Sequence, residues 1–252
     1  MLNPIRRWRW RRLARHRSAS AAAGGLAALA SELPPPSTPI KSAPLLAIDL
    51  EMTGLEPARD AILSIGWVPI RDGRIDLAGA REVRLARGGG EWVGQSATIH
   101  GIRDCDREGG VAVVEALEML LEAAAGRVAV FHHAPLDTAF LERALRRACG
   151  VGWLVPWIDT LDWFRRRQRR RGHDDTAAAA TRLSAVRDHY GLAPRAAHGA
   201  LDDALSCAEV VMILAARSHA RLIDICSLPG PGKAAKARPG RAGSERDGVL
   251  RP

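Results

Sequence analysis

The chain has 252 residues, 47% of them hydrophobic, which suits one sizeable buried core with tails. Its formal net charge of +9 and isoelectric point of about 10.5 point to a polyanionic partner. No apolar run is long enough for a spanning helix or a signal peptide, and Cys105, Cys149, Cys207 and Cys226 lack C-x-x-C spacing. Reduced thiols are therefore a simpler account than a zinc site or a disulfide framework, and a cytoplasmic protein is expected.

The basic residues are unevenly spread. Residues 1–44 carry eight basic groups and one acid, residues 229–252 carry six and two, and the stretch between is left at −2. The run Arg6-Arg-Trp-Arg-Trp-Arg-Arg12 interleaves aromatics with guanidiniums. Three readings stay open for it: nucleic-acid binding, disorder, or contact of residues 5–17 with an anionic membrane surface. An Arg- and Ser-rich, acid-poor start also has the composition of an organelle transit peptide. Ala21–Ala30 and Pro34-Pro-Pro-Ser-Thr-Pro39 read as a linker, flexible and then semi-rigid. Residues 1–43 are thus expected to form a disordered basic extension, 44–228 the folded domain, and 229–252 a disordered basic tail.

Leu45–Leu50 is a short apolar run between Pro44 and the turn Thr53-Gly54, and it reads as a buried strand. Side chains alternate along a strand, so Asp49 and Glu51 point the same way, about 7 Å apart. Two acids on one face can flank a hard cation, although a solvated strand end would carry the same residues. Further strands are predicted near 61–70 and 74–85, as an antiparallel meander, with a loop at Gly88-Gly-Gly90 and a helix near 110–124. Val128–Phe131 is a second short apolar strand, followed by His132, His133 and Asp137 and by a helix over 138–148. Asp137 stands at that hand-over, where an N-cap would also be Asp.

Arg165-Arg-Arg-Gln-Arg-Arg-Arg171 reads either as a guide for a phosphate backbone or as a solvated charge run. Trp67, Trp92, Trp153 and Trp157 read as packing residues rather than stacking platforms. Helices follow near 178–190 and 200–217. In the last of these, Leu201, Ala204, Leu205, Ala208, Val211, Met212 and Ala215 form one core-facing stripe. Asp202 shares a face with Ser206 and Glu209, an ordinary polar surface. Asp203 lies over Cys207, Val210 and Leu214, where a carboxylate is less comfortable, so Asp203 is the better functional candidate. His198 precedes the helix, on a loop that suits a general base.

Acids gathered at one point repel one another unless cations lie between them, so a divalent-metal site is the natural reading of Asp49, Glu51, Asp137 and Asp203. With these residues in view, the sequence resembles the DEDDh family of 3′–5′ exonucleases, whose proofreading branch includes the epsilon subunit of bacterial DNA polymerase III. The likeness covers residues 44–218. Asp49, Glu51, Thr53 and Gly54 match its first motif, and Ala61-Ile-Leu-Ser-Ile-Gly66 is similar to the strand after it. Ile99-His-Gly-Ile102 matches its H-G-I element, His132 to Asp137 its second motif, and His198 to Asp203 its third. His133 replaces the usual Asn and Leu136 the usual Phe; the string D-L-E-M-T-G-L is closer to oligoribonuclease.

The resemblance implies an α/β, ribonuclease H-like fold with a mixed central sheet flanked by helices. It implies two Mg²⁺ or Mn²⁺ ions held by Asp49, Glu51, Asp137 and Asp203, with His198 taking a proton from the attacking water. It places Met52, Gly54, Leu55, Gln95 and His100 at the terminal nucleotide of a single-stranded nucleic acid. DNA is the favoured substrate, with a separate polymerase as a candidate partner. RNA or short oligonucleotides are the first alternative. A catalytically silent binding module is the second, against which all four acids and the histidine stand.

Overall fold

The computed structural model describes residues 10, 12, 13, 17, 32–86, 109–172, 181–195 and 199–229. The strands are β1 (Leu45–Met52), β2 (Ile62–Arg71), β3 (Arg74–Ile75), β4 (Arg81–Arg84), β5 (Val128–Phe131) and β6 (Trp157–Asp159). The helices are α1 (Val113–Ala123), α2 (Ala134–Cys149), α3 (Thr160–Arg169), α4 (Leu183–His189), α5 (Ala200–Ala216) and the short α6 (Leu222–Ile225). The sheet runs β3-β2-β1-β5-β6, with β4 also on β2. β1 and β2 are antiparallel, whereas β1, β5 and β6 are parallel. This mixed sheet with helices on both faces is the expected α/β architecture.

The alternation of β1 divides the core. Leu46, Ile48 and Leu50 face a cluster with Phe131, Leu117, Leu120 and Leu141, against α1 and α2. Leu45 and Ala47 face a second cluster with Val68, Val130, Ile158, Phe164 and the apolar side of α5. Of the predicted α5 stripe, Ala204, Ala208, Val211 and Ala215 are buried, while Leu201, Leu205 and Met212 are partly so. Trp67 and Trp153 are core residues, and Trp153 meets Phe131 edge to face at 6.1 Å.

The predicted boundaries differ in three places. The strand expected over 74–85 is broken by a 3₁₀ turn at Leu77–Gly79, which Asp76 caps by accepting the Gly79 N–H. Both pieces, β3 and β4, pair antiparallel with the same edge of β2, so the expected antiparallel meander is formed, with its third strand in two parts. Helix α2 begins at Ala134 rather than 138, because Pro135 suits a first helical turn, and Asp137 consequently lies inside the helix and is not its N-cap. The pair β6–α3 was not expected from the sequence.

Three residues of the basic N-terminal stretch are buried. Trp10 joins the α5-side cluster, Leu13 joins the α1/α2-side cluster, and Arg17 donates to the Leu154 carbonyl at 3.1 Å. Burial lowers the Arg17 pKa to about 10. Among the described residues no helix is long and apolar enough to cross a membrane, and Cys149, Cys207 and Cys226 are not joined in disulfides there.

Candidate active site

β1, β5 and β6 all end at the same edge of the sheet, so their carboxyl ends define a crevice, the usual place for a site in such sheets. At the end of β1, Asp49 and Glu51 face α5, since they alternate with residues that face α1 and α2. α5 enters over them from Gly199, and Asp203 lies in its first turn, next to the positive end of the helix dipole. One carboxylate oxygen from each of Asp49, Glu51 and Asp203 lies within 4.8 Å of the others. Asp202 is exposed and is not one of this group.

Gly66 explains how α5 comes so near. It pairs with Asp49 across β1–β2, and a β-carbon there would stand 2.2 Å from the Ala200 carbonyl carbon and oxygen and 2.4 Å from the Leu201 nitrogen. Only a glycine lets the helix backbone rest on the strand beside the acids. The β1–β2 loop is fixed by Asp60, which accepts the Thr53 hydroxyl at 3.1 Å and the Glu56 N–H at 2.8 Å. The Thr53 hydroxyl in turn accepts the Ala61 N–H at 3.0 Å.

Asp137 is buried on α2, at 6% exposure. β5 pairs with β1 only as far as Ala47, and beyond that point the Leu50 N–H is directed to the Asp137 carboxylate. Asp137 lies outside the 4.8 Å trio, but its charge acts on Asp49.

The electrostatics are those of a site built for cations. Burial, followed by the charges of Asp137, Asp203 and Glu51, holds the Asp49 carboxyl well above the ordinary carboxylate range. Burial first, and then Asp203 and Glu82, raise Glu51 to about 7. Burial also raises Asp137, against the lowering effect of its own N–H and that of Leu50. Divalent ions among these oxygens would relieve both the repulsion and the desolvation. All three grouped ligands are hard oxygen donors, the set that suits Mg²⁺ or Mn²⁺ rather than zinc.

Of the other predicted residues, Gly54 lies against the Asp60 carboxylate, and Leu55 is 74% exposed at the mouth of the loop. Met52 is partly buried and packs toward the α1/α2-side core. His198, Gln95 and His100 lie outside the described residues, as do Trp92, Cys105 and the Ile99–Ile102 element.

Sequence reasoning missed two acids. Glu82 pairs with Gly66 on β4, in one row with Asp49, and its charge bears on Glu51; taking 74–85 as a single strand hid that register. Asp159 ends β6 and caps α3, accepting N–H groups of Leu161, Asp162, His133 and Ala134 at 3.0–3.2 Å. An Asp-Thr pair between an apolar triplet and Leu161 is an N-cap signal that could have found it. Its charge raises Asp137. Ser64, fully buried and paired directly with Glu51, has no hydrogen-bond partner for its hydroxyl among the described residues.

His132, in the second motif, is occupied at both nitrogens. Nε2 lies 3.0 Å from the Thr181 carbonyl, which only accepts, so Nε2 carries the proton. Nδ1 lies 2.9 Å from the Thr160 hydroxyl, and burial lowers the ring pKa, as a neutral ring requires. His132 is therefore a brace between the ends of β5, β6 and the start of α4 rather than a free base.

The exonuclease family model (RNase_T) matches residues 46–211. The DNA polymerase III PolC-type of Thermotoga petrophila is 31% identical over 172 residues, which is 68% of this chain but only 12% of that much longer protein. Among solved structures, cell-death related nuclease 4 (CRN-4) superposes with a TM-score of 0.62 at 13% identity, covering 71% of this chain and 65% of its own. The nuclease domain of 3'hExo, a DEDDh family member bound to rAMP, has a TM-score of 0.60 at 12% identity, covering 71% and 94%. The matched span takes in about two thirds of the chain and the fold agrees with it: this chain belongs to that exonuclease family.

Proposed function

We propose that the protein removes nucleotides one at a time from the 3′ end of single-stranded nucleic acid, with DNA favoured. The observation that carries this reading is the convergence of Asp49, Glu51 and Asp203 oxygens within 4.8 Å at the strand ends. Asp49, central to the group, would contact two Mg²⁺ or Mn²⁺ ions, and Glu51, Asp203 and Asp137 would complete their cage, partly through water. Bound there, the cation pair would supply Lewis-acid stabilisation to the attacking and leaving oxygens of an in-line displacement. His198 would accept the proton of the attacking water on an imidazole nitrogen, for which an ordinary pKa of about 6.5 is suited at neutral pH. The exposed Leu55 and the tightly turned Gly54 would border the terminal base, with Met52, Gln95 and His100 as further contacts.

DNA is favoured because the matched relative is a DNA polymerase III, and a separate polymerase is the corresponding candidate partner. RNA or a short oligoribonucleotide is the second reading, supported by the rAMP held by 3'hExo. Digestion of 5′-labelled single strands of DNA and RNA, resolved at single-nucleotide steps with Mg²⁺, Mn²⁺ or EDTA, tests both. A ladder shortening from the 3′ end, absent in EDTA, is expected. A metal-independent or endonucleolytic pattern would sink the proposal.

A further inference from the structure

The arginine run Arg165–Arg171 has a position and a cost that the site itself does not explain. Residues 45–228 carry 23 basic and 25 acidic side chains, yet six of the 23 fall within these seven positions. On α3, Leu161, Trp163, Phe164 and Gln168 are buried. Arg169, Arg170 and Arg171 are exposed, and Arg165, Arg166 and Arg167 half-buried. Arg166 pairs with Asp162, and Arg167 donates to the Arg217 carbonyl at the end of α5. Among the described residues no carboxylate pairs with Arg165, Arg169, Arg170 or Arg171.

Complementing the negative end of a helix dipole takes one or two cations. Six crowd like charges: Arg165 and Arg169 stand four apart on the helix, an unfavourable pair, and Arg170 and Arg171 extend the charge past its end. An anionic partner would offset that repulsion. The ridge also has a direction. α3 starts at Asp159, whose carboxylate binds the first N–H groups of α2, the helix that carries Asp137. The Arg165 charge is felt by His132 beside the site. Arg165 is the sixth residue of α3 and Arg169 the tenth, so the ridge lies roughly 8–15 Å along the helix from its crevice end. There it joins Arg217, whose guanidinium lies 5.0 Å above the Tyr190 ring.

We propose that this ridge is a track for the phosphodiester backbone of the substrate strand, several nucleotides upstream of the 3′ end being cleaved. The assignment rests on the exonuclease reading for what occupies the crevice. A guanidinium ridge matches a chain of phosphates in charge and in forked donor geometry, and it lies on the helix whose N-terminus borders the crevice.

The test compares the full chain with R169Q/R170Q/R171Q and with R169K/R170K/R171K. Fluorescence anisotropy of a labelled 20-nucleotide single strand in EDTA reads binding without cleavage. For the Gln variant, Kd is expected to rise at least tenfold. Its salt slope should fall by about 2, from roughly 0.7 per lost phosphate contact on a single strand. The Lys variant should recover most of the affinity. In Mg²⁺, kcat/KM of the Gln variant should fall at least fivefold more on the 20-mer than on a dinucleotide. Its Tm should be no lower than that of the parent, because like charges have been removed. A Kd and salt slope within twofold of the parent, or an equal loss on the dinucleotide, would overturn the track. A parent protein that releases no nucleotide would instead sink the exonuclease reading, while the EDTA measurement would still test the track.

Discussion

His133 sits at φ 74°, ψ 52°, a left-handed backbone that most side chains avoid, immediately before α2. Its N–H is held by the Asp159 carboxylate, so the conformation is imposed by the junction of β5, β6 and α2 rather than chosen by the residue. Asn, the usual residue at this place in the family, tolerates left-handed backbone well, which gives a physical reason for that preference. His133→Asn should therefore stabilise the protein by up to about 1 kcal/mol, raising Tm by roughly 2–4 °C. Thermal melting of the two proteins checks this, and an unchanged or lower Tm would show that the imidazole has contacts that compensate for the strain. The same junction shows why the residue-level reading was incomplete. Asp49, Glu51 and Asp203 were legible because strand alternation and helical spacing fix which way they point. Asp159 and Glu82 belong to strands of three and four residues, too short for periodicity to declare a face.

Among the elements, the contact between β2 and α5 decides where the third acid stands. A methyl at Gly66 would meet backbone, not the flexible end of a side chain, and backbone of a packed helix cannot step aside cheaply. Gly66→Ala should displace the first turn of α5, and with it Asp203, at a cost of about 1–3 kcal/mol. Activity should fall more than tenfold in a protein that still folds, and apparent metal affinity should weaken in parallel. A variant with parental Tm and turnover would mean that α5 does not rest on this strand. The sequence pattern marked the strand and the helix separately, but their approach was not visible in either. Periodicity reports which face is apolar and says nothing about how close two backbones come. A similar limit applied to residues 74–85, where alternation continued across a break that Asp76 makes by capping a 3₁₀ turn.

At the scale of the whole molecule, the parallel strands deliver several acids to one crevice, and the metal-free fold must carry their mutual repulsion. The Glu51 carboxyl is raised from 4.5 to about 7, and Asp49 and Asp137 are raised as well. Over that interval the folded chain keeps protons that the unfolded chain has released, so each such group contributes stability at low pH that is lost as pH rises through its folded value. His132 acts in the opposite sense. Its pKa is lowered, so its contribution grows as pH rises and is complete above the ordinary imidazole value of about 6.5. Between pH 6.5 and 8.5 the carboxyls therefore dominate: only the last part of the His132 contribution opposes them, and the raised Cys207 thiol acts in their sense near the top of the range. In EDTA, Tm should fall across it, and saturating Mg²⁺ should flatten the slope, because cations bind the ionised form. Asp49→Asn removes the most crowded charge. It should abolish cleavage by at least about a thousandfold, in line with loss of a ligand that orders a metal site, yet raise the metal-free Tm at pH 8 above that of the parent. That opposition between stability and activity separates a cation cage from acids that merely share a surface, since solvated carboxylates would give a flat Tm profile and a neutral Asn substitution. A metal-free Tm that rises between pH 6.5 and 8.5 would contradict the electrostatic picture of the site.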